Sequence, residues 1–391
     1  MIYAFWILLS IVIYTYIGYL VILMLLSVFY KSRTAVTKDS DLPYITLLVA
    51  AYNEIDIVKA KVENSVQLNY PKDKLHFTWI TDGSDDGTPE ELKKYPDITV
   101  LHSPERAGKT AAINRAMDYI KTPIVIFSDA NTVLNPDAIY NIAQRFSNPK
   151  TGCVAGEKRI ETKQHDTAPG AGEGSYWKYE SLLKKLESKV GYCMGAVGEL
   201  FALRTDLFVK VPDKSIIDDF VISLSIALKG YKIDYAPEAF STETASVSIM
   251  DEMKRKVRIA SGGFQTLVGM PHLLNFFRHG MLTWQYLSHK VSRWLFAPIA
   301  LIALFILNSL IVFQNPVISF YSVFLLLELI FILLVILGDK AKKKQIRLKA
   351  LFLPYYFFIM NYTQVLGLIK FLKGDHSVIW EKVQRQGSGS Q

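Results

Sequence analysis

The chain has 391 residues, of which 50% are hydrophobic, 13% aromatic and only 20% charged. That balance excludes a disordered, charge-rich chain, and the length allows one large domain plus further elements. The formal net charge of +8 does not argue for nucleic acid, because much of the Lys and Arg flanks apolar stretches, where anionic headgroups account for it.

In chain order, residues 2–29 carry no charge and are long enough to cross a bilayer. They lack a basic leader and a small-residue cleavage site, so residues 1–30 read as an anchor helix, not a signal peptide. Lys31, Arg33 and Lys38 follow directly. By the positive-inside rule the N-terminus is then external and the next region, residues 40–248, cytoplasmic.

Within that region strands alternate with helices. YITLLVAAYNE is a strand ending in polar residues, and IVKAKVENSVQL has helical spacing. LHFTWITDGSDDGT is a second strand with a carboxylate-rich turn, followed by the helical PEELKKY. ITVLHS is a third strand, KTAAINRAMDYI a helix and PIVIFSDANT a fourth strand. This rhythm predicts an α/β domain with a mostly parallel, Rossmann-like sheet and helices on both faces. Cys153 and Cys193 have no metal-ligand spacing and read as reduced thiols in or near its core.

Ligands of such sheets bind beyond the carboxyl ends of the strands. Those ends carry Asn53-Glu54, then Asp82 with Asp85 and Asp86, then Asp129 with Asn131; Gly108 and Lys109 precede the helix after the third strand. Crowded carboxylates repel unless cations or donors are present. A divalent metal and a diphosphate account for both signs of charge. Taken singly, DGSDDGT could be an ordinary turn, AGKT lacks P-loop spacing, and Asp129-Ala-Asn131 could cap the helix starting near Pro136.

The ordered set VAAYNE, DGSDDGT, AGKTAAIN, SDANT and IIDDF resembles that of membrane glycosyltransferases of family 2 over nearly the whole chain. The layout is similar to cellulose, hyaluronan and poly-N-acetylglucosamine synthases. The resemblance implies a GT-A nucleotide-sugar fold and a helical transmembrane region. It places Glu54 and Asp82 around the base and ribose of a UDP-sugar, and Lys109 at the diphosphate. Asp129 and Asn131 take the metal-binding Asp-x-Asp positions, for Mg²⁺ or Mn²⁺. Asn131 departs from the usual second aspartate; an amide oxygen still ligates a hard cation but supplies no charge.

SIIDDFVISLSIALKG (215–230) puts two acids before an apolar helical pattern. Helix capping explains them. By the resemblance Asp219 is the catalytic base and Asp218 lies on the acceptor side. GAVGELFALR (195–204) corresponds to the family's acceptor segment, which makes Gly195 and Glu199 acceptor-binding; otherwise it is a core strand and bend.

Residues 249–294 read as amphipathic interface segments. The resemblance sets MDEMKRKVRIASGGFQTL at the family's Gln-x-x-Arg-Trp site, with Arg258 kept as a donor-pocket contact but Gln and Trp both missing. Arg293 and Trp294 look closer by letter, yet stand just before a span and read as a snorkelling anchor. Residues 295–373 then hold three apolar stretches, at about 295–314, 318–338 and 350–370. The loop DKAKKKQIRLK (339–349) is basic and should be cytoplasmic. Pro354, Asn361, Thr363 and Gln364 interrupt the last stretch, which is either broken or re-entrant, or a lipid-facing helix. In the tail, 374–391, GSGSQ reads like a linker.

The expected activity is an inverting, metal-dependent transfer from a UDP-sugar that extends a β-linked polysaccharide at a bacterial plasma membrane, with its secretion a further expectation. The expected partners are the donor, a glycan or lipid-linked acceptor, membrane lipids and a possible partner subunit, with no nucleic acid. A single addition to a lipid acceptor, or an inactive nucleotide-sugar-binding subunit, are the alternatives.

Overall fold

A computed structural model of the chain describes residues 1–30, 41–161, 169–196, 198–244, 249–314, 317–343 and 349–374. Lys31, Arg33 and Lys38, most of the basic stretch after Lys343 and the closing GSGSQ lie outside the described residues. The chain divides into two compact units. A helical unit comprises Met1–Phe29, Thr162–Leu183 and Glu252–Asp375, and an α/β unit takes Tyr30–Glu161, Lys184–Asp251 and the tail.

The helical unit opens with α1 (Ile2–Ile13) and α2 (Tyr19–Phe29), joined through a π turn at Tyr14–Gly18. Together they form one 28-residue rod, Ile2–Phe29.

In the α/β unit β1 (Ile45–Ala51) is followed by α3 (Ile55–Val66), β2 (Leu75–Asp82), α4 (Thr88–Leu92), β3 (Ile98–Ser103), α5 (Lys109–Met117) and β4 (Ile124–Asp129). Then come β5 (Val133–Leu134), α6 (Ala138–Arg145), β6 (Thr151–Glu161), α7 (Pro169–Val190), β7 (Leu200–Arg204), α8 (Asp218–Leu228) and β8 (Lys232–Thr244). α7 contributes to both units. The single sheet runs β3-β2-β1-β4-β7-β6-β8-β5. The first four strands are mutually parallel, β7 is antiparallel to β4 and to β6, and β6 and β8 are parallel.

β1 and β4 are buried along their whole lengths and apolar but for Thr46, Ser128 and Asp129, the pattern of strands covered on both faces. One face packs Leu47, Trp79, Ile126 and Val154 against Val58 and Val62 of α3 and Ile139 and Ile142 of α6. Each fully buried aliphatic side chain contributes about 1.5–3 kcal/mol. Phe127 and Phe201 stack at 4.5 Å across the antiparallel seam. Cys153 and Cys193 are free and buried.

The chain steps outward from β1 to β2 and β3, then returns to β4 on the other side of β1. Carboxyl ends of neighbouring strands diverge at such a reversal and leave a crevice. The register brings the ends level: Ala50 faces Asp129 and Ala51 faces Thr81.

The helical unit continues with α9 (Ile249–Gly269), the short α10 (Phe276–His279) and α11 (Met281–Gln285). A π-helical stretch, Tyr286–Phe296, leads into α12 (Ala297–Gln314), and α13 (Phe320–Lys343) and α14 (Lys349–Leu372) follow. Among the described residues three helices are long and apolar enough to cross a membrane: Ile2–Phe29, Met281–Gln314 and Phe320–Ala341. α13 exposes Val323, Leu326, Leu327 and Ile330, which suits a lipid-facing helix. The last apolar stretch, α14, is one continuous helix with Pro354 inside it, and Asn361 accepts the Tyr16 hydroxyl at 2.7 Å.

The anchor reading of Arg293 does not hold. Its guanidinium pairs with the buried Glu180 carboxylate, which His289 also approaches at 3.3 Å, and it lies over the Tyr179 ring. Removing the guanidinium would strand a buried carboxylate, which is strongly destabilising. Trp294 is likewise packed inward: a Cβ on Gly263 of α9 would stand 2.9 Å from its ring. The Gly-rich part of α9 is therefore a close-packing device.

Candidate active site

The rim of the α/β unit is assembled from the ends of β1, β2 and β4 and the starts of α5 and α8. Asn53, just after β1, has a left-handed φ of 53°, a conformation asparagine tolerates. Its amide donates to Asp85 at 2.8 Å and accepts the Asp85 N–H at 3.0 Å. Asp86 accepts the N–H of Ile55 at 3.1 Å and of Thr88 at 2.9 Å. The carboxylates of DGSDDGT therefore tie loops and helix starts together. Glu54 is the residue before α3, and its N–H donates to Thr88 Oγ1 at 3.0 Å.

Asp82 is buried. One oxygen accepts the N–H groups of Ala107 and Gly108 at 2.9 and 2.6 Å, and the other lies 3.5 Å from Arg115. It thus fixes the AGKT loop against β2. Gly83 is required beside it: φ is +66° and an added Cβ would meet Arg106 Cβ at 2.6 Å. Tyr52, Asp82, Arg106, Gly108 and Lys109 line a narrow cavity, with the Arg106 guanidinium 3.7 Å above the Tyr52 ring.

Lys109 starts α5, where the helix dipole disfavours a cation. Its ammonium instead meets Asp129 Oδ1 at 2.5 Å. Burial works against its charge, but Asp129, Asp218 and Asp219 outweigh that and hold it above the ordinary lysine range. Asn131 does not cap the next helix, which starts at Ala138 after Asp137. Its side-chain oxygen is buried with no hydrogen-bond partner among the described residues, and so is one oxygen of Asp218.

Asp218 and Asp219 form the first turn of α8, favoured there by the dipole, without a side-chain cap bond. Burial and then Asp218 push the Asp219 carboxyl up to about 7, against the pull of Lys109. Gly198 lies against this pair: an added Cβ would stand 3.3 Å from Asp219 Oδ2 and 3.8 Å from Lys109 Nζ. Asp129, Lys109, Asp218, Asp219 and Gly198 thus converge. Gly195 is buried in the same bend with φ +119°. Glu199 is bound by Lys158, which also pairs with Glu243. Arg258 stands half-exposed on α9, in the helical unit.

Sequence reasoning missed two buried lysines. Lys158 lies in β6 between two glutamates. Lys61 of α3 donates to Ser128 Oγ at 2.8 Å and to the Thr132 carbonyl at 2.7 Å. Burial pulls its ammonium down to about 7, opposed by Asp129. Lys61 was findable: it sits on the stripe Val58, Lys61, Val62, Ser65 that the helix buries.

The residues present fit a hard divalent cation. Asp129 offers a carboxylate, and Asn131 a buried oxygen awaiting a partner. Asp129, Asp218, Asp219, Glu199 and Glu243 outnumber Lys109 and Lys158. Among the described residues no group of three His, Cys, Asp or Glu side chains could hold a metal alone; such ions commonly complete their shell with substrate phosphates.

In open α/β sheets ligands bind at such a strand reversal, and here acids stand at the carboxyl ends of its strands. Residues 46–206 match the family model described as Glycosyl transferase family 2. The poly-beta-1,6-N-acetyl-D-glucosamine synthase of Staphylococcus aureus (strain MSSA476) is 29% identical over 238 residues, 58% of this chain and 56% of that protein. The synthase of the same name from Staphylococcus epidermidis is 29% identical over 236 residues, 57% and 55% of the two chains. The match thus spans little more than half the length of these relatives. A solved mannosyltransferase from Pyrobaculum calidifontis, PcManGT, in complex with GDP-Man and Mn2+, superposes with a TM-score of 0.68 at 22% identity, covering 94% of this chain and 99% of that one. Residues 46–206 thus form a family 2 glycosyltransferase domain with a GT-A-like fold, and the chain is related to polysaccharide synthases.

Proposed function

We propose that this protein is an inverting, metal-dependent glycosyltransferase that takes a UDP-sugar on the cytoplasmic side and extends a β-linked polysaccharide. The observation that carries the reading is the convergence of Asp219, Lys109 and Asp129, with the unpartnered Asn131 oxygen two residues beyond Asp129.

Asp219 has the chemistry of a general base. A carboxyl held near neutrality takes a proton from an acceptor hydroxyl as that oxygen attacks the anomeric carbon. Direct displacement inverts that carbon, so an α-linked donor gives a β-linked product. Lys109, held charged, faces the diphosphate that leaves. Asp129 and Asn131 would hold Mg²⁺ or Mn²⁺, which supplies charge neutralisation on that leaving group when bound; the Mn2+ of the mannosyltransferase structure supports this. Asp82 and Arg106 surround the base slot, and Glu54 stands beside it at the start of α3. Gly195, Glu199 and Asp218 face the acceptor.

The relatives' names make N-acetylglucosamine the first sugar to try. The test is UDP release by purified protein in lipid, with Mg²⁺ or Mn²⁺ and a panel that also includes GDP-mannose, with products sized by mass spectrometry. A long β-linked product that depends on metal and on Asp219 is expected. A product that never exceeds one added sugar would replace polymer synthesis by single addition to a lipid or glycan acceptor. Nucleotide binding without turnover of any donor would overturn catalysis.

A further inference from the structure

Asp129 is the last residue of β4, and Asn131 lies on the turn beyond it, which the sheet does not hold. The β ladder ends at Ser128 and Asp129, and β5 is only the two residues Val133–Leu134. α3 grips this segment from the core side at two places. Asn64 bonds both the N–H and the carbonyl of Leu134, each at 2.9 Å. Three residues earlier on the same helix face, the Lys61 ammonium reaches Ser128 Oγ at 2.8 Å, the Thr132 carbonyl at 2.7 Å and Thr132 Oγ1 at 3.4 Å. Three acceptors match the three protons of an ammonium.

The contacts bracket the ligand-bearing residues. Ser128 precedes Asp129, and Thr132 follows Asn131. Both hydroxyls pass a hydrogen bond on to the Asp129 carbonyl, at 3.3 Å from Ser128 and 3.0 Å from Thr132. The chain from ammonium through hydroxyls to the Asp129 backbone closes the turn from inside. Lys61 is 2% exposed, so it cannot itself reach a ligand at the rim. Losing this side chain leaves three buried acceptors open.

We infer that Lys61 is a positioning residue for the cation and donor phosphates: it sets where Asp129 and Asn131 present their oxygens. This rests on the reading of the rim as a donor-and-cation site. Groups behind the residues that ligate a metal commonly change metal affinity or activity 10–100-fold when removed.

The test uses the full-length protein in lipid, with Mn²⁺ binding followed by EPR in the presence of UDP, alongside steady-state kinetics and melting temperature. Lys61→Met keeps the length and apolar stem but cannot donate. It should weaken the Mn²⁺ Kd at least about tenfold and raise the donor KM in parallel, with kcat largely recovered at saturating Mn²⁺. Thr132→Val, which removes one hydroxyl of the chain, should shift both constants the same way by a smaller factor. A folded Lys61→Met protein whose Mn²⁺ Kd stays within about twofold of wild type overturns the inference. So does a fall in kcat at unchanged Kd and KM, which would mark a loss of active fraction. Should Lys61→Met not fold, an unchanged Mn²⁺ Kd in Thr132→Val overturns it. Wild type that binds no Mn²⁺ with UDP sinks the donor-site reading and this inference together, whereas tight wild-type binding matched by both variants sinks the inference alone.

Discussion

Two acidic segments of the same rim behave in opposite ways. In the DGSDDGT loop Asp85 and Asp86 are engaged by an amide, backbone N–H groups and a hydroxyl. At the turn after β4 and the start of α8, by contrast, the Asn131 oxygen and one Asp218 oxygen are buried without partners among the described residues, and Asp219 is crowded by a like charge. Buried polar groups are normally satisfied, so unsatisfied oxygens gathered beside a strand-end carboxylate leave room for a further partner such as an ion or water. The helical unit supplies a third case: Glu180 is buried but compensated by Arg293 and His289. Burial of a carboxylate alone therefore says little; what remains unsatisfied separates a site from a brace.

The largest effect should come from Asp219→Asn. It removes the base while keeping the shape, and transfer should fall about 10³-fold, within the range for general base catalysis, with nucleotide binding nearly unchanged in a calorimetric titration. Asp129→Asn should cost about 10²-fold in transfer through weakened metal and donor binding, and raising Mn²⁺ should recover part of it. If the two substitutions behave alike, the division of labour along the rim is wrong.

Acidity sharpens the same contrast. The base works ionised, so kcat/KM should rise with pH, about tenfold per unit below about 7, and level off above it. Asp218→Asn removes the neighbouring like charge, lowers the carboxyl's proton affinity and should move this limb to lower pH. A pH profile unchanged by Asp218→Asn would break the assignment. Gly198→Ala, whose methyl would press on Asp219 at 3.3 Å, should reduce kcat about tenfold through misplacement with little change in melting temperature.

The smallest catalytic effect belongs to the loop. Asp86→Ala should cost about 1–2 kcal/mol of stability, as lost helix-start bonds do, visible as a lower melting temperature with kcat within twofold. A collapse of kcat in a folded Asp86→Ala protein would erase the distinction drawn here.

The parallel half of the sheet was legible because each strand is a short apolar run that ends in polar residues, and each helix between them is amphipathic. The antiparallel half was not: β6 and β8 have mixed composition, and their pairing joins segments about 80 residues apart. At the site, Asp129 and Lys109 could be picked because strand ends and helix starts converge in any doubly wound sheet, whereas Asp219 was singled out only by the resemblance to the family. Lys61 and Lys158 were missed because a lysine in a helix or a strand reads as solvated unless its partners are known. The anchor reading of Arg293 failed likewise, since Glu180 lies 113 residues before it.

The sequence by itself determined the apolar helices, the alternating strands and helices, and the order in which acids and a lysine fall at their ends. These follow from periodicity and from local preferences at strand and helix termini, which act over a few residues. Only the tertiary structure decided which acids are satisfied and which are open, because saturation depends on donors brought from distant segments. It also buried Lys61 among hydroxyl and carbonyl oxygens, set Lys158 between two glutamates and drew Arg293 onto Glu180, since a buried polar or charged group is tolerated only where the fold supplies its partner.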